Sequence, residues 1–221
     1  MQPRIGEVLG KSFKDFYGNL ERVLVANLVW SLSLIPVIGV LLVKGFSAGL
    51  FILPFLGISI LLLGGSTGGV FYYMKRIVKG ESVEYMDILR EGKRYFKKSL
   101  VFLSIYGGVG FLTFLVVTGW RGSSFFLSFL QGIGIWAFLF FSLIGTYFFP
   151  LLINEDLGIW KIIKKATALT LDNFWFTLGI CVVVLLLLVL STIVVVGVFL
   201  FLIALVGIIQ NNAYLSLKEG I

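Results

Sequence analysis

The 221-residue chain contains no histidine and a single cysteine, Cys181. One cysteine cannot form a disulfide within the chain, and without histidine the usual ligand sets for zinc and haem, and the Cys/His catalytic pairs, are missing. Charge is also scarce, since Asp, Glu, Lys and Arg make up 13% of the residues, against about 25% in soluble domains. The composition therefore argues against a disulfide scaffold, a metal site, a bound cofactor and most acid–base enzymes.

Hydrophobic residues, by contrast, are in excess. They make up 59% of the chain, and the mean hydropathy is +1.05. A soluble domain of this length has a hydrophobic fraction of about 45–50%, so a core alone does not account for the surplus. The composition indicates an integral membrane protein.

Long charge-free runs mark the segments that would cross a membrane. They cover residues 23–43, 45–74, 99–120, 122–154 and 173–217. A helix needs about 20 apolar residues to cross the hydrocarbon core, so each of the first four runs predicts one span. The last run is more than twice that length and predicts two spans, with a turn near residues 191–197. Short outer loops are predicted at residues 45–49 and 122–124. The sequence thus predicts an all-α membrane protein with six transmembrane helices in three hairpins.

The basic residues are divided unequally between the connections. Four precede the first run, eight lie in residues 75–98, three in residues 161–165 and one at position 218. The predicted outer connections, on the other side of the membrane, contain only Lys44 and Arg121. Because Lys- and Arg-rich loops stay in the cytoplasm, this asymmetry predicts a multi-pass protein of the cytoplasmic membrane with both termini inside. It also explains the net charge of +7 without a nucleic-acid partner.

Three segments have the apolar spacing of an amphipathic helix. They cover residues 5–20, 82–98 and 159–170, and each meets its apolar run at a polar residue, Asn19, Ser99 or Asn173. We therefore predict a single membrane domain, residues 1–221, that contains three repeats. Each repeat joins a cytoplasmic surface helix to a transmembrane hairpin. The predicted repeat boundaries are residues 1–79, 80–155 and 156–221.

The second of these amphipathic segments carries most of the basic side chains. A basic amphipathic helix can lie in the headgroup plane with its charges near anionic lipid. Lipids of the anionic inner leaflet are therefore predicted partners, and a solvated face, an acidic protein or a nucleotide are the alternatives. The residues predicted to contact anionic lipid are Arg90, Lys93, Arg94, Lys97 and Lys98.

The glycine-rich stretch GGSTGG, residues 64–69, has two interpretations. A phosphate-binding loop requires Lys after its last glycine, where this chain has Val70. Pairs of glycines four residues apart within an apolar helix are typical of close helix packing. We predict packing.

Polar side chains within the predicted spans are candidates for a solute path. None of the predicted spans contains a charged residue, which argues against ion-coupled transport by this chain alone. Hydrogen bonds between helices are the alternative role for single polar residues, and a cap at the inner interface is the alternative for the Gln-Asn-Asn triplet. The residues predicted to form the intramembrane polar path are Asn27, Ser31, Gln131, Gln210, Asn211 and Asn212.

Two stretches in the first half of the chain carry a family resemblance. Residues 27–36 read NLVWSLSLIP, and residues 65–81 read GSTGGVFYYMKRIVKGE, followed by FKKSL at 96–100. This pattern resembles the YesL-like bacterial membrane proteins, a family of unknown function. In that family the first two stretches lie close together, whereas residues 37–64 separate them here. The resemblance implies a cytoplasmic-membrane location and an accessory role in carbohydrate uptake.

Three classes of function follow from these features. The first, which we favour, is a transport-associated membrane component, either a path for a neutral solute or a subunit beside a transporter. The second is a scaffold or assembly factor that binds lipid and a protein partner, or a second copy of itself, through amphipathic helices. An intramembrane enzyme is the weakest, because no acid–base or nucleophilic set is visible. A water-filled cavity lined by Asn27, Gln131 and Asn211 would favour transport, and a packed bundle with an exposed apolar groove would favour a scaffold.

Overall fold

A computed structural model describes residues 3–42, 52–119, 125–194 and 197–219. The predicted outer loops at residues 45–49 and 122–124 lie outside these ranges. Within them the structure is helical, as the sequence predicts. The helices are α1 (Ile5–Gly18), α2 (Leu20–Leu32), α3 (Ile35–Leu42), α4 (Ile52–Val78), α5 (Met86–Gly119), α6 (Phe125–Glu155), α7 (Ile159–Asp172), α8 (Phe174–Ile193), a short π-helix (Val198–Leu202) and α9 (Ile203–Glu219).

Five helical segments are long and apolar enough to cross a membrane. They are Pro54–Val78, Met86–Thr118, Ser128–Glu155, Phe174–Ile193 and Phe199–Lys218. The last two occupy the long apolar run at the end of the chain, which confirms that this run holds two helices. The first of these two helices, Phe174–Ile193, ends where Val194 leaves the helical conformation, with φ −100° and ψ 81°.

The first apolar run, residues 23–43, is not among these five segments. The structure divides its described part between α2, with 13 residues, and α3, with 8. Pro36 explains the break, because it has no N–H to donate to the carbonyl of Leu32 and its ring crowds that carbonyl. The backbone tightens ahead of the proline instead, where the N–H groups of Ser33 and Leu34 bond to carbonyls three residues earlier.

A separate surface helix over residues 82–98 was predicted, and this is wrong. Residues 81–84 are not helical, and α5 runs without a break from Met86 through Ser99 to Gly119. The two other predicted junctions do break. At both Asn19 and Asn173 the backbone leaves the helix, with φ near −130°, and the side-chain amide donates to the carbonyl four residues earlier. The hydroxyl of Ser99 is buried without a hydrogen-bond partner in the described structure, so no side-chain bond at position 99 replaces the helical bond that a break would open.

The tightly packed core lies at one end of the bundle. It is formed by the second half of α4, the last turns of α6 and most of α9, with α1, α7 and the first turns of α5 around them. Its largest fully buried side chains include Tyr73, Met74, Tyr147, Leu151 and Ile209.

The opposite ends of the long helices are apolar but exposed. Phe111 and Leu112 of α5 are 60% and 62% exposed, and Trp136 of α6 is 74% exposed. Apolar exposure on this scale is foreign to a soluble monomer and indicates a surface that contacts other apolar matter. One end of the bundle is therefore tightly packed within the protein, and the other end exposes apolar side chains.

Candidate functional site

The site is built on the contact between α4 and α5, which pack backbone against backbone. A Cβ atom placed on Gly69 would overlap the carbonyl oxygen of Ile88, and one on Gly92 would lie 2.7 Å from the carbonyl oxygen of Gly65. Gly64 in turn faces Leu100. The two helices therefore run antiparallel at the distance that only glycine allows, which confirms packing as the role of residues 64–69.

A lateral groove of about 830 Å³ lies beside this contact, between α2, α4 and α5. α4 supplies its floor, and α2 and α5 supply its walls. Leu32, Leu62 and Leu89 line it and remain 60%, 47% and 59% exposed, so the groove opens to the side of the bundle. Its remaining lining residues are Val29, Ser33, Leu61, Gly65, Ser66, Ile88, Gly92, Lys93, Arg94, Phe96, Lys97 and Lys98.

The two hydroxyl groups in the groove are already paired. Ser33 Oγ donates to Ser66 Oγ over 2.9 Å, and Ser66 Oγ donates to the carbonyl of Leu63 over 3.4 Å. Their hydrogens are therefore used within the protein, and the walls present mainly hydrocarbon. Such a surface suits an apolar ligand and offers little to a neutral polar solute.

One edge of the groove is basic, and its four cations differ in their pairing. Two acids compensate two of these charges: Arg94 pairs with Glu91 at 3.6 Å, and Asp156 accepts from Arg94 Nη2 at 3.2 Å and from Lys98 Nζ at 2.6 Å. The hydrogen bond from Lys98 lowers the pKa of the Asp156 carboxyl. Lys93 and Lys97 are exposed, one helical turn apart, and have no acidic partner among the described residues. The basic edge thus carries two uncompensated charges.

The structure brings four of the five predicted lipid-contact residues to this edge. Arg90 is exposed but does not line the groove. The sequence analysis missed the apolar walls, because exposed leucines on α2 and α4 look like any other lipid-facing residues. The ion pairs of Asp156 were also not predicted, because this residue lies outside any periodic apolar pattern. Its backbone has the uncommon positive φ of 44°.

Two residues of the predicted polar path, Asn27 and Ser31, bind the last helix instead. They lie one turn apart on α2. The backbone N–H of Ala204 donates to Asn27 Oδ1 over 3.1 Å, and Ser31 Oγ donates to the carbonyl of Phe199 over 3.2 Å. Both partners flank or belong to the π-helix, whose wider turn disturbs the regular backbone pairing.

The triplet at residues 210–212 is buried and faces different neighbours. Asn211 donates to the carbonyl of Gly207 at 2.8 Å and, more weakly, to that of Phe71 in α4. Asn212 donates to Ser12 Oγ at 3.1 Å and to Asp15 Oδ2 at 3.0 Å, both in α1. The side-chain carbonyl oxygens of the three triplet residues are buried without a hydrogen-bond partner in the described structure.

Gln131 lies far along the bundle from the triplet at residues 210–212. Its side-chain amide donates to the carbonyl of Val116, near the far end of α5. Phe149 of α6 stacks on Phe71, beside Asn211, and Gln131 precedes it by 18 residues, or about 27 Å of helix. The predicted path residues therefore do not meet in one cavity, and none of them lines the groove.

Comparison with known proteins adds no relative: no protein-family model, curated protein or solved structure matches the chain.

Proposed function

We propose that this protein is a membrane scaffold that binds lipid, rather than a conduit for solutes. The supporting observation is the open apolar groove with its basic edge on a closely packed bundle. The buried polar residues that would line a path are instead engaged between helices. A transport-associated component, either a solute path or a subunit beside a transporter, was the favoured hypothesis from sequence, and the packed core gives the solute path less support than the scaffold.

The proposed place of the protein is the cytoplasmic membrane, with six spans and both termini in the cytoplasm. The exposed apolar ends of the helices would lie in the bilayer, and the packed end would face the cytoplasm. Exposed aromatic residues flank the helix junctions, where Tyr17 is 71% and Trp175 is 76% exposed, as suits a membrane interface. α2 and α3 together would form the first span, since a proline break is tolerated where neighbours cover the freed backbone groups.

Reporter fusions would test this topology. A cytoplasmic reporter joined after Lys79 and another after Lys165 are both expected to be active, because these positions lie in the basic connections. A periplasmic reporter at the same positions is expected to be inactive. An external signal at either position would contradict the six-span arrangement.

We also propose that the chain is built from three structural repeats. In this proposal the amphipathic helix of each repeat packs on the last helix of the repeat before it, and α1 packs on the last helix of the third repeat, which closes the three repeats into a ring. The positions 11 and 7 residues before Asn19, Ser99 and Asn173 are buried in all three segments. In each case the helix with this stripe packs on the end of a long helix: α5 on α4, α7 on α6 and α1 on α9. The buried residues at these positions are Val8, Ser12, Ile88, Gly92, Ile162 and Ala166.

The proposed role agrees with an accessory subunit beside a transporter, which is also what the resemblance to YesL-like proteins implies. A scaffold of this kind needs no catalytic group or solute path. The transport and scaffold hypotheses differ in one measurable property, the solute permeability that the protein confers on a sealed bilayer.

A flux measurement tests the proposed function. Liposomes containing the purified protein are expected to swell in isotonic glycerol or a neutral sugar at the same rate as protein-free liposomes, because Asn27, Ser31 and Asn212 of the predicted path bond to neighbouring helices. Stopped-flow light scattering measures the rate, and a channel-forming peptide serves as the positive control. A saturable acceleration by the protein would restore the transport hypothesis and overturn the scaffold.

A further inference from the structure

We infer that the groove binds one phospholipid with an anionic headgroup, its phosphate held by Lys93 and Lys97 and an acyl chain lying along α4. This inference rests on the proposed membrane function, since it requires the groove to open into a bilayer.

The geometry of the groove suits a molecule with one charged end. Ser99 begins the apolar part of α5, so Lys97 lies at the boundary between its polar and apolar parts. Because α4 runs antiparallel, with Gly65 against Phe96 and Gly64 against Leu100, Leu61 and Leu62 lie beyond that boundary on the apolar side. A headgroup at Lys97 therefore places its acyl chain over the leucines.

The apolar walls favour an acyl chain over a polar ligand. Leu32 and Leu62 are 60% and 47% exposed, so an acyl chain that runs from Lys97 along α4 would cover hydrocarbon surface. The serine hydroxyls are paired with each other and with a backbone carbonyl. The volume of about 830 Å³ is within the range of small-molecule sites.

The charge pattern favours an anionic headgroup over a zwitterionic one. Arg94 and Lys98 share Asp156, whereas Lys93 and Lys97 have no acidic partner among the described residues. Lysine stems are long enough to bring their ammonium groups to a common phosphate while the methylene groups cover the groove wall. Each lysine near an anionic lipid contributes about a fivefold preference, so the pair predicts about a 30-fold preference.

The experiment is native mass spectrometry of the full chain in detergent, titrated with phosphatidylglycerol or phosphatidylcholine. We expect one phosphatidylglycerol per chain, bound about 30-fold more tightly than phosphatidylcholine. The double variant K93Q/K97Q is expected to lose that preference. The matched control K161Q/K164Q removes two exposed lysines of α7 and is expected to keep it.

A second pair of variants tests the acyl part of the site. Leu62→Trp fills the groove and is expected to weaken binding of both lipids at least tenfold. Ile58→Trp is its control, because Ile58 lies one turn away on the same helix, is 46% exposed and does not line the groove. Both lysine variants change exposed residues, so the test does not depend on the tryptophan variants folding.

Four results would overturn the inference. Equal binding of the two lipids, or equal loss in K93Q/K97Q and K161Q/K164Q, would show that the groove does not select a headgroup. Unchanged binding in Leu62→Trp would place the lipid elsewhere. A dimer that Leu62→Trp abolishes would assign the groove to a second copy of the chain.

The lipid site and the proposed function can fail separately. Solute flux in liposomes together with selective loss in K93Q/K97Q would leave the lipid site standing and remove the scaffold. No solute flux together with no headgroup preference would remove the lipid site and leave the scaffold standing.

Discussion

Replacing Gly69 with alanine is expected to lower the free energy of unfolding by about 3 kcal/mol, the upper part of the range for an overpacked core. The added methyl group would overlap the carbonyl oxygen of Ile88, which is backbone and cannot rotate away. α4 and α5 would have to separate, and their contact extends along the helices through Gly64 and Gly92. The stability loss should be visible in reversible unfolding of the purified protein in mixed detergent micelles, followed by circular dichroism.

Gly57→Ala on the same helix is the matched control for this experiment. A Cβ atom at Gly57 meets nothing within 4 Å, and alanine is favoured over glycine in a helix by about 1 kcal/mol. This control is expected to be neutral or slightly stabilising. Equal unfolding of the Gly69→Ala and Gly57→Ala proteins would mean that α4 and α5 do not approach as closely as the structure has them.

Much of the fold could be predicted because solvent preference leaves a direct mark on a sequence. The long charge-free runs locate helices α4, α5, α6, α8 and α9, and the length of the last run requires its division. The break at Pro36 was harder to predict, because proline is tolerated in membrane helices and its effect depends on neighbours. The structure accordingly divides the described part of the run containing Pro36 into two short helices.

The continuity of α5 through Ser99 shows where a repeat pattern misleads. The stripe of residues 88–96 follows the same register as the stripes of α1 and α7, so a separate surface helix was predicted there. Register reports which face a residue occupies but not whether the backbone bends. At Asn19 the side-chain amide takes the carbonyl of Asp15 while the backbone N–H bonds to that of Phe16, and at Asn173 the amide and the backbone N–H both donate to the carbonyl of Leu169.

The candidate site could also be predicted only in part from the sequence. The basic residues of α5 were identified from sequence, since charge beside an apolar run points to a membrane boundary. Which of them is free depends on Asp156, which follows α6 and is distant in sequence. Similarly, Asn27 and Asn212 read equally well as path or as contact between helices until the partners, Ala204 and Ser12, are known.

The ring closure predicts that α1 can be moved to the other end of the chain. We expect a permuted protein that begins at Leu20 and ends with α9, a short linker and residues 1–19 to retain cooperative unfolding. α1 packs on α9, as α5 packs on α4 and α7 on α6. In the native chain those two connections are seven and three residues long, so a linker of similar length is expected to suffice.

Deleting residues 1–18 without moving them is expected to abolish cooperative unfolding. Asn212 would lose Ser12 and Asp15, and Phe201 of the π-helix would lose its contact with the ring of Phe16. Ser12→Leu within the permuted chain serves as the control for native docking, because Ser12 is fully buried and a larger side chain there cannot fit. If the permuted protein unfolds like the deletion, or tolerates Ser12→Leu unchanged, α1 does not complete a ring of equivalent repeats. Cooperative unfolding of the permuted chain, together with its loss in the deletion and in Ser12→Leu, would show that α1 docks on α9 from either end of the chain. A ring of three repeats requires this.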